Sequence, residues 1–122
     1  MQNQRKGKLG EDAACEFLIR SGYTIIERNW RFKKAEIDII AESKDKKLIF
    51  VEVKSRSSIY FGMPEESISQ YKENLILDAA GQYVYLNGFD GAVRFDIISV
   101  KIEKDQVKIL NHYEDAFFPG II

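Results

Sequence analysis

The run Leu48-Ile-Phe-Val-Glu-Val-Lys54 constrains this chain more than any other stretch. It is nearly continuous in apolar and β-branched residues, the signature of a strand covered on both faces. Such a strand belongs in the middle of a mixed α/β domain rather than at a wet edge. Yet it carries Glu52 and Lys54, with Arg56 just beyond, and the preceding strand-like run, Ala35 to Ile40, carries Glu36 and Asp38. Charge in the most strand-like segments calls for a reason.

The remaining segments supply the frame. From Gly7 to Ser21, Leu9, Ala13, Ala14, Phe17 and Leu18 recur at the spacing of one helical face, and Gly22 suits a left-handed residue closing that helix. Cys15 falls off this face and reads as an incidental thiol. Tyr23–Trp30 and Lys34–Glu42 read as strands, with Ile37, Ile39 and Ala41 alternating in the second, and the polar run Ser43–Lys47 as the turn before the apolar strand. Glu65 to Leu86 has helical spacing through Ile68, Tyr71, Leu75, Ala79, Tyr83 and Leu86, weakened at Gly81 by up to about 1 kcal/mol. Ala92–Ile102 and Gln106–Tyr113 read as two further strands joined around Lys104 and Asp105. The predicted order is α-β-β-β-α-β-β, one α/β domain over residues 1–122 without repeats or linkers.

Composition excludes several classes. A chain of 122 residues, 45% hydrophobic and 30% charged, has the make-up of a globular domain. No apolar run approaches the roughly 20 residues that span a bilayer, and the segment MQNQRKGKLGEDAA lacks a signal peptide's apolar core. The single Cys15 can form neither an internal disulfide nor a thiolate metal site, so the reducing cytoplasm is the expected compartment. Net charge is −1, but residues 1–56 hold thirteen Lys/Arg against nine Asp/Glu, and residues 57–122 hold five against ten. Such asymmetry between halves is one cue for a polyanionic partner.

A turn centred on Asp45 and Lys46 makes the two charged strands an antiparallel hairpin, with Asp38 near Glu52 or Val53. Alternation puts Glu36 and Asp38 on one face, opposite Ile37 and Ile39, and Glu52 and Lys54 on one face, opposite Val51 and Val53. If the polar sets point the same way, carboxylates and an ammonium converge while the apolar set packs under the helices. Carboxylates gathered at neutral pH repel one another unless a cation joins them. Mg²⁺ is the expected ion, with Mn²⁺ as a substitute, because it takes hard oxygen ligands. Held by Asp38 and Glu52, it would activate a water and orient a phosphate, with Lys54 positioning that water or neutralising charge on the phosphate. A plainer reading leaves a solvated strand face with Glu52 and Lys54 as a surface ion pair worth under about 1 kcal/mol. Unpaired charge is expensive in a central strand, which favours the chemical reading.

The pattern Asp38…Glu52-Val53-Lys54 resembles the PD-(D/E)xK nuclease signature. With the flanking text GKLGEDAACEFLIRSGYTIIERNWR, EIDIIAE, IFVEVKSR, FGMPEESIS and RFDIISV, in order over about residues 5 to 118, the chain resembles the YraN-like family of small bacterial proteins, related to archaeal Holliday junction resolvases. The resemblance implies a restriction-endonuclease-like fold, a central mixed β-sheet flanked by helices. It also implies a metal-dependent endonuclease acting on structured or branched DNA, in repair or recombination. It casts Asp38 and Glu52 as metal carboxylates, the Val53 carbonyl as a further ligand, Lys54 as the catalytic lysine and Glu11 as the acidic residue completing the site. Glu11 equally suits a helix first turn, and Glu36 is supporting or merely solvated. Two departures stand out: Ala35 where the family usually has Gly before Glu-Ile-Asp, and Glu73-Asn74 where it is often basic.

A phosphate backbone would be met by Arg5, Lys6, Lys8, Arg31, Arg56 and Lys72, with Lys33 and Lys34 near them, contacts that give affinity without sequence information. His112, the only histidine, lies away from every motif and reads as structural or exposed. The alternatives are a non-catalytic nucleic-acid-binding module that keeps the nuclease fold, and a protein-interaction domain drawing on the acidic second half. A homodimer would suit the two symmetric nicks of junction resolution, but nothing in the sequence specifies one.

Overall fold

Both faces of the segment that begins at Leu48 are buried, as its apolar run requires. In the computed structural model, which describes residues 2–56, 69–104 and 106–116, with side chains only from Gly7 onward and not for Arg56, seven elements follow in the expected order. They are α1 (Gln2–Arg20), β1 (Thr24–Phe32), β2 (Ala35–Glu42), β3 (Leu48–Arg56), α2 (Gln70–Asn87), β4 (Val93–Glu103) and β5 (Gln106–Tyr113). The strands form one mixed sheet in the order β1-β2-β3-β4-β5, with β3 and β4 parallel and the other neighbours antiparallel. The parallel pair is joined through α2, the connection that parallel strands require.

Alternation along β3 splits the interior into two cores. Leu48 and Phe50 pack with Ile76, Ala79, Ala80 and Tyr83 of α2, where Tyr83 meets the rings of Trp30 and Phe50 edge-on. Ile49 and Val51 pack on the other face with Ala14, Cys15 and Leu18 of α1. Each side chain fully buried this way contributes about 1.5–3 kcal/mol. Gly10 lets α1 lie close on the sheet, because a Cβ there would come within 2.5 Å of Ser55 Oγ and 3.1 Å of Val100 Cγ2. Among the described residues, no helix is long and apolar enough to cross a membrane.

Five sequence expectations need correction. Cys15 is part of the buried face of α1, 7% exposed, so it is a packed thiol whose pKa burial pushes up. The second helix starts at Gln70 rather than Glu65: Ser69 has extended backbone and its hydroxyl accepts from Lys72 N–H, a standard N-cap. Residues 65–68 lie outside the described residues. The buried stripe of α2 is Ile76, Ala79, Ala80 and Tyr83, the i, i+3, i+4, i+7 pattern of one face. Tyr71 and Leu86 are exposed, because steps of four along the expected set drift around the helix.

The fourth correction bears on the site. Ile37 packs on the α2 side whereas Ile39 packs on the α1 side, so they do not share a face. The alternation of β2 breaks at Asp38. The hairpin therefore lacks one apolar and one chemical face; both faces are apolar up to Ile39 and Val51, and charge begins where the strands part. The fifth is the start of α1, which begins at Gln2 rather than Gly7 and so places Glu11 mid-helix instead of in the first turn. Its end matches the expectation: Gly22 is left-handed at φ +96°, with its N–H on the Ile19 carbonyl.

Candidate functional site

The hairpin pairs from Glu42 opposite Leu48 to Ile39 opposite Val51, and there its two strands separate. Beyond that point β2 pairs only with β1, through to Ala35 opposite Phe32, while β3 continues beside β4 to Arg56 opposite Lys101. Asp38 and Glu52 are the next residues on each strand, so they stand at the fork. Opening the pair leaves Val53 N–H without a ladder partner, and Asp38 Oδ2 accepts it at 2.8 Å. This contact sets the Asp38 carboxylate against the Glu52-Val53-Lys54 backbone.

The electrostatics are unbalanced. Burial, then repulsion from Glu52, pushes the Asp38 carboxyl up to about 8, although the Val53 N–H acts the other way. Glu52 is only 7% exposed. Its Oε2 accepts from Lys72 Nζ at 2.7 Å, and Lys54 Nζ lies 3.6 Å from the same oxygen. Burial would lower the Lys72 pKa, but its hydrogen bond to Glu52 and the nearby charges hold it above the ordinary lysine value. Two lysines thus answer one buried glutamate, one from β3 and one from α2.

Glu11 reaches the same end of the sheet from α1 and adds to the field on Asp38. Its carboxylate is held by Asn29 Nδ2, at 3.0 and 2.8 Å to its two oxygens, and by Arg28 at 3.3 Å. Asn29 sits mid-strand with a left-handed backbone, φ 52°, a conformation costly for any side chain, though least so for Asn and Asp. Arg28 also bridges to Asp12 at 2.9 Å. Sequence reasoning missed this pair; the signal was an asparagine, a poor strand former, inside the strand-like run Tyr23–Trp30. Asn29→Ala is expected to destabilise by about 1–2 kcal/mol, losing the bonds and straining the left-handed backbone there, whereas Asn29→Gly, relieved of strain, should cost about 1 kcal/mol less. Urea unfolding of both variants measures the difference; equal costs would remove strain from the account.

An open cleft of about 640 Å³ adjoins these groups, lined by Gly7, Lys8, Glu11, Arg28, Asn29 and Glu36. Of the basic residues expected to meet a phosphate backbone, Lys8 lines this cleft and lies 3.9 Å from Asp12, and Arg31 is exposed beside Glu36 at 3.4 Å. Lys72 is drawn into the carboxylate cluster instead. Lys33 lies over the Phe32 ring, and Lys34 is in the β1–β2 turn. Arg5 and Lys6 are on α1 and Arg56 ends β3, but their side chains lie outside the described residues.

Among the described residues, no three His, Cys, Asp or Glu side chains gather as a ready-made metal cluster. What the fork offers is smaller: the Asp38 and Glu52 carboxylates, with Asp38 tied to the Val53 N–H. Their hard oxygen donors suit a hard divalent cation such as Mg²⁺, which would have to compete with the two ammonium groups already beside Glu52.

A second polar cluster, centred on β4, has no role among the sequence expectations. Asp96 is fully buried on β4. It accepts from Arg94 Nε at 2.9 Å and NH2 at 2.8 Å, and from Asp115 N–H at 2.9 Å, with His112 Nε2 at 2.7 Å from Oδ2. Arg94 also donates to Tyr23 Oη at 2.7 Å. His112 is therefore tied to the Arg94–Asp96 segment rather than apart from every motif. With each Asp96 oxygen bonded within the chain, this cluster is a brace joining β4, β5 and the chain after α1.

Fold and fork together define a small mixed-sheet α/β domain with a lysine–carboxylate cluster where its central hairpin opens. The chain belongs to the uncharacterised protein family UPF0102, the YraN-like family, whose model matches residues 10–100. It is 51% identical over 112 residues to a UPF0102 protein of Flavobacterium psychrophilum, covering 92% of each chain. A Clostridioides difficile relative is 44% identical over 118 residues, 96% of this chain and 100% of that one. Among solved structures, the Pyrococcus furiosus SfsA in complex with Ca²⁺ is similar at 15% identity, over 91% of this chain and 64% of that one, with a TM-score of 0.40. That overlap is too loose to bear on function.

Proposed function

We propose that this protein is a Mg²⁺-dependent endonuclease acting on structured or branched DNA, with its site at the fork of the central hairpin. The observation that carries this reading is the meeting of Asp38, Glu52 and Lys54, from two strands that part at that point. Asp38, Glu52 and the Val53 carbonyl would hold the metal, which when bound supplies an activated water and neutralises charge on the phosphate. Lys54, 15% exposed along its side chain, is held close to Glu52 and is placed to orient that water or stabilise the charge developing on the phosphate. Glu11, clamped by Asn29 and Arg28, completes the acidic wall, and Lys8 and Arg28 in the adjoining cleft would meet flanking phosphates. Cutting a four-way junction would further need two copies, to place both nicks symmetrically.

The test is purified protein with Mg²⁺ or Mn²⁺ on junction, flap, single-stranded and plain duplex DNA. Asp38→Ala and Glu52→Ala should each lower cleavage at least a hundredfold, a loss of roughly 3 kcal/mol in transition-state stabilisation. Cleavage that survives either change would refute the assignment. The alternative, a nucleic-acid-binding module without catalysis, draws on Glu11 being fully occupied by Asn29 and Arg28. It predicts salt-dependent binding and no cutting with any divalent ion.

A further inference from the structure

The position of Lys72 is unfavourable by itself. It is the third residue after the Ser69 cap, in the first turn of α2, where the helix dipole disfavours a cation. Its ammonium is nonetheless 2.7 Å from Glu52 Oε2 and within the field of Asp38. Lys54 reaches the same oxygen at 3.6 Å. The two lysines differ in surroundings: the Lys54 side chain is 15% exposed, whereas that of Lys72 is 43% exposed and has a route to solvent. One lysine is walled into the site, and the other closes it from outside.

Resting on the metal site proposed above, we infer that the Lys72 ammonium is a resident counter-cation, bound at Glu52 in the metal-free protein and displaced when a divalent ion binds. An ammonium 2.7 Å from Glu52 Oε2 and a Mg²⁺ on the same carboxylate compete for its charge and repel each other at such range. Binding therefore exchanges one cation for another, which weakens the apparent affinity for metal. Lys72 can yield because its arm is flexible and open to water. Its backbone stays fixed, since Lys72 N–H bonds to Ser69 Oγ at 3.1 Å. The released ammonium remains tethered beside the site, where an incoming phosphate is its next partner. Lys72 would meet nucleic acid only after metal, unlike the exposed Lys8 and Arg31.

Mn²⁺ affinity, measured by the paramagnetic resonance of free Mn²⁺ without any DNA, tests this directly. Lys72→Gln should bind Mn²⁺ at least tenfold more tightly than the parent, Lys72→Arg no more tightly, and Glu52→Gln far more weakly than either. Equal or weaker binding by Lys72→Gln, with Glu52→Gln still impaired, would overturn the role of Lys72 and leave the metal site standing. No binding by the parent or by Lys72→Gln would overturn the metal site and this inference together. A second measurement needs only the unaltered chain: the side-chain NMR signal of Lys72 should move to that of a solvated lysine as Mg²⁺ saturates. A signal unmoved at saturation would overturn the exchange.

Discussion

Asp96→Ala is expected to lower the free energy of unfolding by about 3–5 kcal/mol, the cost of breaking a buried, hydrogen-bonded charge pair from one side. The carboxylate is fully buried and receives Arg94 through two nitrogens and the Asp115 N–H, with His112 against it. Alanine would leave the Arg94 guanidinium, 14% exposed, facing an apolar gap with Tyr23 and the outlying Glu114 as its remaining partners. Asp96→Asn keeps the shape but turns an amide N–H₂ toward groups that donate, so it should fall between the parent and alanine. Although burial opposes it, the bonds from His112, Arg94 and Asp115 N–H hold the Asp96 carboxyl below its usual range. Its contribution is therefore complete above the ordinary pKa of about 3.9 and is lost as pH falls toward the lowered native value. Urea unfolding at pH 7 and pH 3 measures both effects. A loss under 1 kcal/mol for alanine at pH 7 would show that the network does not brace the fold.

Asp38→Asn has the opposite expected sign: in EDTA it should stabilise the protein, and increasingly so as pH rises. The unfolded carboxyl titrates near 3.9, whereas burial and then Glu52 hold the folded one at about 8. Below pH 4 both states keep the proton, and the variant gains little. Between those values the unfolded chain gives up its proton and the folded one retains it. The parent loses stability across this window by at most about 1.4 kcal/mol per pH unit. Above pH 8 both states are ionised and the gap levels off. The substituted amide still accepts Val53 N–H through its oxygen and removes only the charge. Melting curves of both proteins at pH 5, 7 and 9 read the gap; a gap constant with pH would refute the strained carboxylate. A residue that destabilises its own fold in this way is characteristic of a functional site.

Particular residues show how far the sequence reaches. The order of elements follows from local periodicity and turn chemistry, which is why every strand lies close to its expected position and Gly22 closes α1 as expected. The meeting of Asp38 with Glu52 and Val53 was legible too, because the turn at Asp45 and Lys46 fixes the hairpin register and register fixes neighbours. Alternation failed at Ile37 and Ile39, since it assumes a regular strand, and β2 stops pairing with β3 there. The faces of α2 were misjudged because apolar spacing alone does not say which stripe meets a sheet.

Local chemistry along the chain thus determined the α/β class, the two-sided burial of β3 and the acidic-and-basic character of the hairpin. Tertiary structure alone decided where that hairpin opens, that Lys72 crosses from α2 to Glu52, that Asn29 strains to hold Glu11, and that His112 belongs to Asp96. The reason is which elements meet. Register carries across a regular hairpin whose turn is marked, as for Asp38 and Val53. Lys72 with Glu52 and Asn29 with Glu11 instead join a helix to the sheet, and His112 reaches Asp96 across a hairpin whose register shifts at Ser99 and Val100.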